Sequence, residues 1–256
     1  MFRQNSLKQL LGRGKIAYGI IHALGSAAAA EMIGMAGFDY VLIDGEHGPG
    51  DHQSHLRSLQ AVAATPATAF YRVENNDRTA IKRALDLGIE GIMIPNVASA
   101  EEAQAAVAAC RYPPRGVRGF AAGIVRASDY GLRIVKYMSE GESELLISVM
   151  IESAAGAQNA AEIAAVEGID VVQVGPFDLS YDLGIPGRFD DPRYLAAQTA
   201  IEKAVLAQGK ILGGAPMPGL GLEHLLERGY LMITLGADVM FLSQGLAAAL
   251  PGSHRP

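Results

Sequence analysis

The segment EGIDVVQVGPFDLSYDLGIPG, Glu167–Gly187, decides the reading of the fold. It follows an Ala-rich stretch of helical character, Asn159–Val166. Gly168 then stands where a left-handed residue ends a helix. Val171–Val174 is a short, dominantly apolar run, the pattern of a strand covered on both faces. Gly175 and Pro176 turn the chain and bring Asp178 just beyond the strand end. A helix, a glycine, a short strand and an acid at its carboxyl end make one unit of a parallel α/β protein.

The same unit recurs in both directions. Strand-like runs are Ala17–Ile21, Tyr40–Ile43, Ala67–Arg72, Gly91–Ile94, Leu145–Ile151, Ile211–Gly213 and Leu231–Leu235. Helical stretches alternate with them at Ser26–Ala36, His52–Ala64, Arg78–Leu87, Ala100–Cys110, Pro192–Gln208 and Leu222–Arg228. Asp77 is placed to cap one helix, and Ser99 with Glu102 resembles a capping box before another. Gly88, Gly209 and Gly229 repeat the role of Gly168. Eight strands alternating with helices predict a single closed (β/α)8 TIM barrel over residues 1–256. The alternative, a doubly wound sheet, normally has fewer strands and a phosphate loop. Neither GxGxxG after the first strand nor GxxxxGK[ST] is present.

Bulk properties narrow the function. Net charge is -6 with no long basic tract, which argues against generic nucleic-acid binding. Cys110 is the one cysteine, so no intramolecular disulfide forms, as suits a reducing, cytoplasmic setting. No apolar run reaches membrane-spanning length, and no signal core leads the chain. Residues 110–144, containing RYPPRGVRGF, are long for an αβ connection. They read either as a packed loop whose arginines pair with carboxylates, or as a wall flanking the active site that favours an anion. GLAAALPGSHRP at the carboxyl end suggests a short helix and a frayed end, or a helix docking on a neighbouring subunit.

A parallel barrel gathers the carboxyl ends of its strands at one mouth, where such folds carry their chemistry. Asp44, Glu46 and His47 follow YVLI, Arg72 ends TAFYR, Glu152 ends LLISVMIE, and Asp178 follows VVQVG. Glu152 and Asp178 are a ligand pair for a hard divalent cation that leaves room for water and substrate oxygens. Each acid is equally readable as a helix cap or a salt-bridge partner. Histidine is the side chain suited to acid–base work under ordinary conditions, which points to His47, with Asp44 to orient it and Glu46 to support its loop. Arg72 has the reach to meet a carboxylate or a developing oxyanion, or to form a structural salt bridge. His22 at another strand end is structural or pocket-lining. No lysine sits at a predicted strand end, which lowers Schiff-base chemistry in rank.

Five segments resemble the HpcH/HpaI family of metal-dependent class II 2-oxo-acid aldolases. They are LIDGEHGP at Leu42–Pro49, IKRALDLGIEGIMIPNV at Ile81–Val97, RYPPRGVRG at Arg111–Gly119, VMIESAAGAQN at Val149–Asn159, and Glu167–Gly187. The resemblance implies a barrel of the phosphoenolpyruvate/pyruvate-binding type. It implies one divalent ion per subunit, Mg²⁺, Mn²⁺ or Co²⁺, on Glu152 and Asp178. It implies a 2-oxo acid such as pyruvate as donor and an aldehyde as acceptor. His47, supported by Asp44, would handle protons, Arg72 would stabilise the enolate, and Gly175 with Pro176 would hold the donor carboxylate. Asp86 matches a position that approaches an adjacent subunit's site. The family commonly forms hexamers, dimers of trimers, with an exchanged C-terminal helix.

Three departures bear on specificity. Met150 stands where relatives often have Gln, Phe177 where they have Ala, and FAAG follows RYPPRGVRG where many have a small polar run. Met150 and Phe177 make the substrate-binding wall less polar and favour a shorter or apolar aldehyde. The implied reaction is reversible cleavage of 4-hydroxy-2-oxo acids to pyruvate, or a related 2-oxo acid, and an aldehyde. The alternatives are oxaloacetate decarboxylation, an acyl-CoA lyase using the same enolate chemistry, and a metal-binding protein without catalysis.

Overall fold

Residues 2–251 are described by a computed structural model. In chain order the elements are α1 (Ser6–Gly12), β1 (Ala17–His22), α2 (Ala27–Met35), β2 (Tyr40–Asp44), α3 (His52–Val62), β3 (Thr68–Arg72), α4 (Arg78–Asp86), β4 (Gly91–Ile94) and α5 (Ala100–Cys110). After a 3-10 turn at Arg126–Ser128 come α6 (Ile134–Glu144), β5 (Leu146–Ile151), α7 (Ala154–Gln158), α8 (Ala160–Ala164), β6 (Val171–Val174) and α9 (Pro176–Asp182). α10 (Pro192–Ala207), β7 (Ile211–Gly214), α11 (Leu222–Glu227), β8 (Tyr230–Ala237) and α12 (Asp238–Ala249) complete the chain. The strands pair in parallel, each with the next, and β8 returns to β1 to close the barrel.

Period-two alternation builds two apolar layers from strands that read as continuous runs. Tyr40, Leu42, Phe70, Met93, Leu146 and Met232 point into the barrel, whereas Val41, Ile43, Ile92, Ile147 and Val172 pack outward beneath the helices. Large and small residues share the interior. A Cβ on Gly91 would lie 2.2 Å from the Phe70 ring, so glycine is required there to seat that ring.

The expected punctuation is present. Gly88, Gly168, Gly209 and Gly229 have φ of +79°, +95°, +65° and +87°. Asp77 caps α4 by accepting from the backbone N–H of Thr79 and Ala80. Ser99 accepts from Glu102 N–H, but Glu102 returns its carboxylate to Ala98 N–H rather than to Ser99, which makes a displaced capping box.

Several elements were not expected. α1 closes the amino-terminal end of the barrel, with Leu7 and Leu11 in the inner apolar layer. Asn5 fixes it by donating to the carbonyls of Glu90 and Glu144 at 2.7 and 2.8 Å. Residues 110–144 form a helix, α6, over their last third. The segment joins α5 to β5, so it lies at the amino-terminal end, opposite the mouth. Its cations are committed locally: Arg111 and Arg115 to Glu142, Arg126 to the Leu87 carbonyl, and Arg118 to Asp86. The packed-loop reading therefore describes this segment within the chain, and none of its residues lines the mouth. α12 is longer than expected and leaves Met240, Phe241, Leu242 and Leu246 exposed. The end expected to fray, 252–256, lies outside the described residues. No described helix is long and apolar enough to cross a membrane.

Candidate active site

Register brings the first pair together. Asp44 and Arg72 end β2 and β3 as direct partners. The guanidinium donates Nε to Asp44 Oδ1 at 2.9 Å and Nη2 to Oδ2 at 2.7 Å. Its Nη1 lies 3.1 Å from Glu46 Oε2. Burial raises the Asp44 pKa, but the Arg72 pair and the backbone N–H groups of His47 and Glu46 outweigh it and hold the carboxyl below the usual range. Asp44 reaches His47 through that backbone N–H, at 3.3 Å, and not through the imidazole. The imidazole neighbour is instead Glu46, at 3.5 Å from Nε2. The His47 side chain is 65% exposed at the rim. Glu46, expected only to support the loop, thus belongs to the site.

Glu152 follows β5 and is held by an interaction the sequence did not disclose. Its Oε1 accepts the backbone N–H of Asn96 at 2.6 Å. Asn96 aims that N–H from a left-handed conformation, φ 52°, which asparagine tolerates better than most residues. Gly175 leaves space for Glu152, since a Cβ there would lie 2.6 Å from Glu152 Oε2 and 3.0 Å from Met150 Sδ. Asp178 sits in the first turn of α9, which opens with Pro176. The turn expected at Gly175 and Pro176 is thus the start of this helix, with Gly175 at its N-cap.

These groups border one cavity of about 560 Å³. His47, Arg72, Glu152 and Asp178 line it, with Gly175 and Pro176 on one side and Met150 and Phe177 in its wall. Burial, then repulsion from Asp178 and Glu46, pushes the Glu152 carboxyl up to about 7 against the Asn96 hydrogen bond and the more distant Arg72 charge. Burial likewise raises Glu46, against the pull of the Arg72 charge. A buried carboxyl, Glu152, with a second acid, Asp178, close enough to raise it fits a hard divalent cation. Among the described residues no cluster of three or more His, Cys, Asp or Glu side chains forms a ready metal cage. Two protein carboxylates suit an open site whose remaining ligands are water and substrate oxygens.

Residues 18–244 match the HpcH/HpaI aldolase/citrate lyase family. The chain belongs to that family. A 4-hydroxy-2-oxo-heptane-1,7-dioate aldolase from Salmonella arizonae is 39% identical over 249 residues, covering 96% of this chain and 93% of the relative. A crystal structure of an HpcH/HpaI aldolase/citrate lyase family protein from Burkholderia cenocepacia superposes with a TM-score of 0.90 at 35% identity, over 96% of this chain and 97% of that one. The citrate synthase SbnG gives 0.87 at 29% identity over 98% of each chain. The (β/α)8 barrel and membership of a family of aldolase-type lyases are thereby established.

Two other candidates, one a family position and one a strand-end histidine, lie away from the cavity. Asp86, at the far end of α4, pairs with Arg118 at 2.8 Å. Arg118 is buried between Tyr112, 4.6 Å from its ring centroid, and the Tyr137 hydroxyl. Asp86 is therefore outside this chain's own pocket. His22 is structural: its ring nitrogens meet Asp238 Oδ2 at 2.7 Å and Ser58 Oγ at 3.1 Å in the interior.

Proposed function

We propose that this chain is a divalent-metal-dependent aldolase that reversibly cleaves 4-hydroxy-2-oxo acids into pyruvate, or a related 2-oxo acid, and an aldehyde. The observation that carries the reading is Arg72, fixed on Asp44 and Glu46, lining one cavity with Glu152 and Asp178. Glu152 and Asp178 would hold Mg²⁺, Mn²⁺ or Co²⁺, which when bound supplies a Lewis acid and a template for a chelating 2-oxo acid.

The chain's own residues account for the rest. His47, at the rim beside Glu46, accepts the proton of the substrate C4 hydroxyl through water. The C4–O electrons form the aldehyde carbonyl as the C3–C4 bond breaks, and the bond pair passes into the enolate of the 2-oxo acid. Arg72 spreads positive charge toward that oxygen, already oriented by its two carboxylates, so little reorganisation is required. Gly175 and Pro176 shape the donor side. Water returns a proton to C3. Met150 and Phe177 offer apolar surface to the acceptor, which supports preference for a shorter or less hydroxylated aldehyde.

Likeness to a citrate synthase favours weighing one alternative, an oxaloacetate decarboxylase or related lyase using the same enolate. Metal-stripped protein incubated with pyruvate in D₂O, with each ion added back, tests the shared step. Metal-dependent loss of the methyl proton signal, absent in Glu152→Ala, supports enolate chemistry. No exchange with any ion removes pyruvate as the donor. Comparing turnover of oxaloacetate with that of a 4-hydroxy-2-oxo acid ranks the two reactions.

The assembly we propose is a homo-hexamer, a dimer of trimers, in which α12 docks on a neighbour and Asp86 approaches an adjacent site. The exposed apolar residues of α12 support it. A cytoplasmic setting is in keeping with the single, buried cysteine. Light scattering of the purified protein gives the subunit number.

A further inference from the structure

Gln173 is the one residue of β6 whose side chain is both polar and turned into the barrel. It is 2% exposed and lines the cavity floor. Its Nε2 has no hydrogen-bond partner among the described residues. The position is built around the amide: a Cβ on its register partner Gly213 would lie 2.4 Å from Gln173 Cδ and Nε2. On the other side its register partner is Met150, which offers a thioether and no strong donor or acceptor. The Thr234 hydroxyl, also on the cavity, is occupied by Tyr40 at 2.8 Å. Space is reserved for a carboxamide that nothing in the protein engages, two residues deeper in the barrel than the turn holding Glu152.

An unpaired buried amide costs stability, and a barrel interior has many apolar ways to fill that space. The cost is offset when a ligand supplies the missing partner. We propose that Gln173 is a donor-binding residue whose carboxamide hydrogen-bonds an oxygen of the bound 2-oxo acid from the cavity floor. This rests on the aldolase reading for the identity of the ligand. It assigns binding and orientation of the donor to β6, in addition to the charged groups at the rim.

Gln173→Met keeps the length and the packing over Gly213 and removes only the amide. The expected signature is a split. The melting temperature holds or rises, because an unsatisfied group has left the interior, whereas the donor KM and the calorimetric Kd for pyruvate rise about ten- to hundredfold with a smaller change in kcat. The second variant, Gln173→Met with Met150→Gln, returns an amide to the adjacent register position and recovers at least part of the affinity. Running both with hydroxypyruvate locates the contact. Equal losses place it on the oxo-acid head, and a loss confined to the hydroxylated donor places it on the C3 substituent.

Unchanged KM and Kd for both pyruvate and hydroxypyruvate overturn the inference. So does a lower melting temperature with unrepaired affinity, since the amide would then serve the fold, for instance through a buried water shared with the unpartnered Ser148 hydroxyl on β5. Wild-type protein that turns over no 2-oxo acid sinks the aldolase reading instead, and the binding comparison still decides the role of Gln173.

Discussion

Asp44 and Arg72 end neighbouring strands at one register position and lock through two parallel hydrogen bonds of 2.9 and 2.7 Å. The same carboxylate accepts the backbone N–H groups of Glu46 and His47. One acid therefore sets the direction of the guanidinium and the shape of the turn carrying His47. Arg72→Lys keeps the charge and loses the planar fork, so kcat should fall roughly 10²–10³-fold with the fold intact. Asp44→Asn leaves a buried guanidinium underpaired and should cost about 3 kcal/mol or more. The Asp44 carboxyl is held below its unfolded value, so its stabilising effect is present above about pH 4 and is lost as pH falls through the folded value. Melting curves should separate wild type from Asp44→Asn at pH 6 and converge as the pH drops below 4.

Gly175 is required by space and not by backbone conformation, because its φ is −91°. Gly175→Ala places a methyl 2.5 Å from Glu152 Cβ and 2.6 Å from its carboxylate. Glu152 must swing away from Asn96, and the cation site opens. Affinity for Mn²⁺ should weaken at least about tenfold, while the circular dichroism spectrum stays that of the wild type. Unchanged affinity would show that Glu152 has another usable position.

The strands and the acids at their ends were legible because both depend on local pattern: short apolar runs, glycine after helices, and a charged residue where the run stops. The partners of those acids were not. Asp44 pairs with Arg72 through strand register, and Glu152 with Asn96 through a left-handed residue on the next loop back; both require the closed barrel. The same limit left two readings open for residues 110–144. Four arginines near a Pro-Pro pair suit either a packed loop or an active-site wall; within the chain the segment lies at the opposite end from the mouth, where these arginines have their own partners. α1 is not legible in sequence because seven residues with two buried apolar anchors make too short a pattern.

Phe177 lies in the cavity wall and meets Phe189 edge-on, with ring centroids 5.3 Å apart. Half its surface is exposed, so Phe177→Ala should cost only about 1 kcal/mol. The larger effect is on the acceptor. Removing the ring should raise kcat/KM for bulkier or hydroxylated aldehydes relative to propanal, as read in a competition of acceptors with one donor. An unchanged ranking would move acceptor selection to Met150 or to a neighbouring subunit.

Glu152 and Asp178 repel each other across the site, and Arg72 is already shared between two other acids. A divalent ion should therefore stabilise the fold as well as permit the reaction. Saturation at 100 times Kd corresponds to about 2.7 kcal/mol. Chelation should lower the melting temperature and abolish turnover, and added Mg²⁺, Mn²⁺ or Co²⁺ should restore both. Glu152→Gln relieves the repulsion, so its metal-free form should melt at or above the wild-type temperature yet gain little from any ion.

Asp238 opens α12 and ties it to the barrel. Its carboxylate meets His22 Nδ1 at 2.7 Å and accepts the backbone N–H groups of Ala23 and Leu24 at 3.0 and 3.3 Å. The other ring nitrogen of His22 meets Ser58 on α3 at 3.1 Å. The order Ser58–His22–Asp238 resembles a nucleophilic triad, but Ser58 and His22 are sealed from solvent, which leaves an anchoring role. The anchor fixes the direction in which α12 leaves the mouth, with Phe241, Leu242 and Leu246 facing outward. Burial opposes the charge on Asp238, and the His22 and backbone hydrogen bonds prevail, so the carboxyl stays depressed. Asp238→Ala strands a buried imidazole and two N–H groups and should cost about 2–4 kcal/mol. If α12 docks on a neighbour, the variant should also dissociate at protein concentrations where the wild type remains assembled. A loss of melting temperature with no change in mass by light scattering would confine the anchor to the monomer and count against docking through α12.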